Sequence, residues 1–183
     1  MGIDEVMVRA VFLDRDGVIN RAEVRNGKPY PPASIEELEV LDGVADGLRA
    51  LREAGFRLIV VTNQPDVARG TQTRETVEAM NARLRETLPL DDIMSCYHDG
   101  DACHCRKPKP GALLDAARRH GIELDASFMI GDRWRDVEAG QRAGCTSYFI
   151  DYGYLERQPD PPFIRVHSLL EAAIAITGGR SGG

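Results

Sequence analysis

Short apolar runs alternate along the chain with stretches of helical period. Val8-Arg-Ala-Val-Phe-Leu-Asp14 has the pattern of a buried strand ending in an acid, and Leu58–Thr62, Ser127–Gly131 and Thr146–Asp151 repeat it. Helices are predicted between them. Val44, Leu48 and Leu51 share one face, with Gly55 placed to end the helix. Val77, Met80, Leu84 and Leu88 share another, N-capped by Thr73. Leu113, Leu114 and Ala117 form a third, opened by Pro110 and closed near Gly121. Val137 and Gly140 belong to a short fourth helix ended by Gly144, and Ser168-Leu-Leu-Glu171 reads as a capping box before the last.

Strands apolar on both faces, alternating with helices, predict an α/β fold of the Rossmann-like, three-layer kind, its parallel sheet covered on both sides. Ligands in such sheets bind beyond the carboxyl ends of the strands. No repeat, linker or second domain is visible. The expectation is one domain over residues 1–177 and a disordered tail over 178–183. The polar, proline-rich segment from Asn20 to Pro32 reads as a loop or flap over the site, since a separate cap domain would need tens of residues more.

Composition narrows the function classes. At 183 residues the chain can bury a full core, and 43% hydrophobic with 28% charged residues is ordinary for a soluble globular protein. The net charge of −6 argues against nucleic acid or an anionic membrane as partner, although a local basic pocket would still serve a phosphorylated small molecule. The longest apolar run, Leu58–Val61, is far below the roughly 20 residues of a spanning helix. Acids near the N-terminus oppose a secretory signal, and Val6 opposes myristoylation. A cytoplasmic monomer is expected. Disulfides are rare there, so clustered cysteines lean towards metal.

The chemistry gathers at predicted strand ends. DRDGVIN, from Asp14 to Asn20, places two acids two residues apart where the first strand stops, with Gly17 permitting a tight turn. VVTNQ puts Thr62 and Asn63 at the same edge, where a hydroxyl followed by backbone N–H groups can cradle phosphate. GDRWRD adds Asp132 and, four residues on, Asp136; two or three acids at one edge suit Mg²⁺. Lys107 in RKPKPG completes the set. Each piece has a bland reading: a surface turn, a Thr-Asn turn, an acid at a helix N-terminus, a solvated lysine. Their agreement in order and in strand context is what carries weight.

With these four motifs in order, the chain resembles the haloacid dehalogenase superfamily phosphatases over roughly Ala10 to Tyr154. DRDG with Asn20, TNQ followed by Ala68-Arg-Gly70, and the cysteine loop running into RKP are most similar to its cap-less subclass IIIA. The resemblance implies a phosphatase working through an aspartyl-phosphate, with Asp14 as nucleophile and Asp16 as general acid/base. It implies Mg²⁺ held by Asp14, Asp132 and the Asp16 carbonyl. Thr62, Asn63 and Lys107 would bind the phosphoryl group, Asp136 would support Lys107 or a metal-bound water, and Asn20 and Arg106 would meet substrate. The implied substrate is a heptose 1,7-bisphosphate losing its 7-phosphate on the way to lipopolysaccharide or another surface glycan. Histidinol phosphate or another small sugar phosphate is the alternative. Where relatives read TNQSGIARG this chain has Pro65 and Asp66, a missing donor and an added charge beside the phosphate pocket.

Cys96, His98, Cys103 and Cys105 give C-x-H-x4-C-x-C, a thiolate and imidazole set suited to structural Zn²⁺. The resemblance supports zinc, because relatives bind it through a loop of this composition. Alternation turns His104 away from such a site. A redox pair would need C-x-x-C or a thiol poised for attack, and neither is present. Cys145 reads as a small buried hydrophobe, Trp134 as packing, and Asp99 and Asp101 as solvated loop acids that repel anions. His120 ends a helix and complements its dipole, and His167 precedes the capping box.

Two readings from other classes compete. A receiver-like phospho-acceptor also uses strand-end acids, Thr and Lys, but has no use for Asp16. A zinc-organised binding protein with a decayed site is opposed by the presence of every motif residue.

Overall fold

The computed structural model describes residues 6–178; the expectations for the extreme N-terminus and for the tail beyond Gly178 lie outside them. The chain runs through strand Arg9–Leu13 (β1), a hairpin of Glu23–Arg25 (β2) and Lys28–Tyr30 (β3), helix Val44–Glu53 (α1) and strand Phe56–Asn63 (β4). A single helical turn, Asp66–Arg69 (α2), precedes helix Arg74–Thr87 (α3) and strand Asp92–Cys96 (β5). Then come Gly111–His120 (α4), Phe128–Gly131 (β6), Trp134–Ala143 (α5), Thr146–Ile150 (β7), Ile164–Val166 (β8) and Leu169–Ile176 (α6).

Six strands form one sheet in the order β5-β4-β1-β6-β7-β8, every pair parallel. β1 is central: Leu13 stands opposite Val60 of β4 on one side and Ile130 of β6 on the other. The register therefore brings Asp14, Thr62 and Asp132 to one edge, and the Asp14 amide donates to the Ile130 carbonyl at 3.0 Å. After β5 the chain recrosses β1 to build the other half of the sheet, and the ligand crevice of a doubly wound sheet opens at such a reversal.

Strand alternation sorts the core into two layers. Val11, Leu13, Leu58, Val60 and Ile130 pack against Leu48, Leu51 and Leu169 of α1 and α6. Ala10, Phe12, Ile59, Val61 and Met129 pack on the other face against Leu113, Ala116 and Ala139 of α4 and α5. Each fully buried Leu or Ile contributes roughly 1.5–3 kcal/mol, which makes β1, hidden on both faces, a rigid base for the acids at its end.

Thr73 caps α3 by accepting the Thr76 amide, as its position predicts. The capping box at Ser168 is half formed: Ser168 accepts the Glu171 amide, but the Glu171 carboxylate reaches one residue further back, to the His167 amide and ring. The segment expected to be an irregular flap contains the β2–β3 hairpin, turned by Asn26 and Gly27 at positive φ, 51° and 73°. Strands β5 and β8 are additions to the four expected. No helix among the described residues is long and apolar enough to cross a membrane.

Candidate active site

Lys107 is the centre of the site's electrostatics. Its ammonium is 1% exposed, 2.9 Å from Asp14 Oδ1 and 2.7 Å from Asp136 Oδ1, and it donates to the Val61 carbonyl at 2.7 Å. Burial opposes its charge, but Asp136 and Asp14 outweigh burial and hold it above the ordinary lysine value. Asn63 fixes the backbone here: its side-chain amide donates to the Lys107 carbonyl and accepts the Lys107 amide, both at 3.1 Å.

Three carboxylates crowd one cation. Asp14, Asp132 and Asp136 are all buried and can bring oxygens within 4.8 Å of one another. Burial, then Asp136, raises Asp14 to about 6 despite Lys107. Burial, then Asp14 and Asp136, pushes Asp132 well above the usual carboxylate range. Asp136 is engaged at both oxygens: Oδ1 faces Lys107, and Oδ2 accepts the Asp132 and Arg133 amides at the start of α5, at 3.1 and 3.0 Å. Asp132 differs. Tyr154 donates to its Oδ2 at 2.7 Å, while Oδ1 is buried without a partner. Gly17, at φ +87°, is required where the turn after β1 passes Asp132, because a Cβ there would lie 2.0 Å from Oδ2. An unpaired buried oxygen and a repelling acid pair beside an open cleft fit a hard divalent cation on Asp14 and Asp132.

Asp16 is clamped. Oδ1 accepts from Arg15 Nε and Nη2 at 3.3 and 3.1 Å and from Asn20 Nδ2 at 2.9 Å. Oδ2 accepts from Gln64 Nε2 at 2.8 Å, and the same amide nitrogen donates to Thr62 Oγ1 at 3.0 Å. Asn20 and Thr62 are thus buried beneath the cleft, Asn20 completely, and each meets the site through Asp16 or Gln64. Asn20, expected to meet substrate, here has its side-chain amide on Asp16.

Above this floor lies a cleft walled by Pro29 and Tyr30 of the hairpin, by Pro31 just after it, and by Arg106, Arg133 and Arg135. Arg106 donates to Asp99 at 2.7 Å, and its Nε is buried with no partner. Arg133 pairs with Glu156. Arg135 lies over the Trp134 ring, 4.6 Å from its centroid, with no carboxylate partner among the described residues. Burial, then the charges of Arg106 and Arg133, lower Arg135 from the usual arginine value, the mark of a cationic wall. Asp66, the unusual residue after Pro65, pairs with Arg69 at 3.4 Å, and Arg69 also grips Asp99 at 2.9 Å. Asp99 is accordingly not a free solvated acid that repels anions: it holds Arg69 and Arg106.

Cys96, His98, Cys103 and Cys105 converge beside the cleft, the ligand atoms within 4.8 Å of one another and His98 Nδ1 3.3 Å from Cys105 Sγ. All four cysteines of the chain are free thiols. Burial, then neighbouring sulfurs, pushes the Cys105 thiol up, a conflict that binding thiolates to a cation resolves. His104 turns out to Asp115 at 2.6 Å, as alternation predicts, and His120 bonds Asp92 at 3.0 Å rather than serving only the helix dipole.

Sequence reasoning missed Arg15, Gln64, Tyr154, Arg133 and Arg135. Arg15 and Gln64 lie inside quoted motifs, and Arg133 and Arg135 share the last motif with its acids, so charge density there was an available signal. Tyr154, 22 residues from Asp132, carried none.

Fold and site together define a phosphatase of the Rossmann-like α/β class. A family model described as haloacid dehalogenase-like hydrolase matches residues 29–144, and the chain belongs to that family. It is 40% identical to the D-glycero-beta-D-manno-heptose-1,7-bisphosphate 7-phosphatase of Photorhabdus laumondii, over 74% of this chain and 76% of that one. The same enzyme of Escherichia coli K12 is 39% identical over 74% and 75%. The crystal structure of D,D-heptose 1.7-bisphosphate phosphatase from B. bronchiseptica, complexed with magnesium and phosphate, superposes with a TM-score of 0.78 at 27% identity, covering 93% of this chain and 99% of that one.

Proposed function

We propose that this phosphatase removes the 7-phosphate of D-glycero-D-manno-heptose 1,7-bisphosphate, a step towards nucleotide-activated heptose for lipopolysaccharide or related glycans. The observation that carries the reading is Asp14 at the end of the central strand, paired with a buried Lys107 and facing a cleft lined with arginines. In the proposed reaction an Asp14 oxygen attacks phosphorus, the bond from phosphorus to the sugar oxygen breaks, and Asp16 protonates that oxygen. Asp16 then takes a proton from the water that attacks the aspartyl-phosphate, releasing phosphate and restoring Asp14. Lys107 and the Asn63 backbone face the charge that spreads over the phosphoryl oxygens. Asp14, Asp132 and the Asp16 carbonyl would hold Mg²⁺, which supplies the positive charge an anionic nucleophile needs to approach a phosphate dianion. Asp136 acts through Lys107.

The arginine wall favours a bisphosphate over histidinol phosphate. Arg135, with no carboxylate partner among the described residues, suits a second phosphate beside Arg106 and Arg133, whereas the ammonium of histidinol phosphate would be repelled. Purified protein is expected to turn over heptose 1,7-bisphosphate at least about 100-fold more efficiently than histidinol phosphate, because mismatching a charged group costs that much discrimination. Steady-state phosphate release with both heptose anomers and histidinol phosphate checks it; a preference for histidinol phosphate would discard the assignment.

Zn²⁺ on Cys96, His98, Cys103 and Cys105 would brace the loop that leads directly into Arg106 and Lys107. Elemental analysis should find about one zinc per chain, and Cys103→Ser with Cys105→Ser should lose it and lower the melting temperature by roughly 10 °C or more, since structural zinc energy is folding energy. Absence of zinc from the parent protein, or an unchanged melting temperature without it, contradicts the assignment.

A further inference from the structure

Asp16 is tied to the outer face of the molecule by a buried chain of side chains. Arg15 is fully buried and takes no part in lining the cleft. Besides its two bonds to Asp16 Oδ1, it donates from Nη1 to Asn81 Oδ1 at 2.9 Å. Asn81, on α3, is 6% exposed and donates from Nδ2 to Ser95 Oγ of β5 at 3.0 Å. One amide therefore uses both ends, the oxygen to hold a guanidinium and the nitrogen to anchor itself to the sheet.

Each contact limits what Asp16 can do. Oδ1 accepts three N–H bonds, two from the Arg15 guanidinium and one from the Asn20 amide, so no lone pair is left to take a proton. Oδ2 meets only Gln64 Nε2, a donor shared with Thr62. Were Arg15 free to swing, the two oxygens could exchange roles and the proton would spend time facing the protein instead of the substrate.

We propose that Asn81 is a positioning residue for proton transfer: through Arg15 it locks the Asp16 carboxylate so that Oδ2 alone carries the proton. The inference rests on Asp16 being the general acid/base. Asn81→Leu keeps the branching at Cγ and the number of heavy atoms and removes the acceptor; Asn81→Asp keeps the acceptor. On heptose 1,7-bisphosphate, whose alkoxide leaving group must be protonated, Asn81→Leu should lower kcat by about 10- to 100-fold, a part of what a positioned acid contributes. Single-turnover release of p-nitrophenol from p-nitrophenyl phosphate, which needs no proton, should stay within about threefold of the parent, because only the acid step is impaired. Asn81→Asp should restore the sugar-phosphate rate to within about threefold, as the Arg15 contact returns. Equal losses on both substrates would mark a merely structural residue, and no loss on either would show that Arg15 needs no such anchor; each result overturns the proposal. Asp16→Asn separates the two readings: if that variant turns over the bisphosphate at the parental rate, the acid/base assignment fails whatever Asn81 does.

Discussion

Asp14→Asn is expected to abolish turnover and, in protein dialysed free of magnesium, to raise the melting temperature at pH 7.5. The first effect follows from removing the attacking oxygen, and losses of at least about 10⁴-fold in kcat are the scale for a deleted nucleophile. The second follows from the burial and acidic neighbours that raise Asp14 to about 6. A carboxyl whose folded value lies above its unfolded one binds more protons in the native state, so its ionisation destabilises the fold as pH rises through the interval from about 4 to 6. Asparagine carries no such charge. The gain should be on the order of 1–3 kcal/mol, seen as a rise of roughly 3–8 °C above pH 6 that vanishes below pH 4. Melting curves across that range, with initial rates at pH 7.5, check both halves. Turnover within tenfold of the parent would remove Asp14 from the reaction, and a lower melting temperature at pH 7.5 would mean that its ion pair with Lys107 outweighs burial.

The sequence carried most of the sheet and the polar motifs because those signals are local. An apolar run ending in an acid is readable at β1, β6 and β7, one ending in Thr62 and Asn63 at β4, and Gly17, Gly121 and Gly144 punctuate them as expected. β5 is hidden by its own chemistry: Asp92–Cys96 is only half buried apart from Cys96, and that last residue reads as a metal ligand. β8 is three residues long and mostly exposed, with too few positions to show a period. The hairpin was within reach, since Asn26-Gly27 is the strongest short-range signal for such a turn.

What stayed hidden at the site is long-range. Asn81 meets Arg15 across 66 residues, Gln64 meets Asp16 across 48, and Arg69 meets Asp99 across 30. No spacing rule brings such pairs together; the pairing of β1 with β4, the placing of α3 beside β5 and the return of the cysteine loop towards α2 do so. Motif reading names the groups that touch a phosphate, and packing decides which neighbours hold them.

Lys107→Met should show that one cation serves both reaction and fold. The methionine fills the same slot, so what is lost is charge. Without it the phosphoryl oxygens lose a fixed donor, and kcat should fall by about 10²- to 10³-fold. In the free protein Asp14 and Asp136 lose the ammonium that lies 2.9 and 2.7 Å from them, and the Val61 carbonyl loses its donor. Breaking a buried pair in this way costs about 3–5 kcal/mol. The cost should depend on pH with a definite sign. Lys107 now opposes the burial that raises Asp14, so in its absence Asp14 moves further above about 6 and the folded variant takes up protons that the unfolded chain does not. Stability of the variant should therefore fall more steeply than that of the parent between pH 6 and pH 8, and acidification to pH 6 should recover part of the loss. Urea unfolding at the two pH values measures this directly. An equal loss at both would mean that Lys107 supports the fold through its bond to the Val61 carbonyl, and that the buried acids tolerate one another without it.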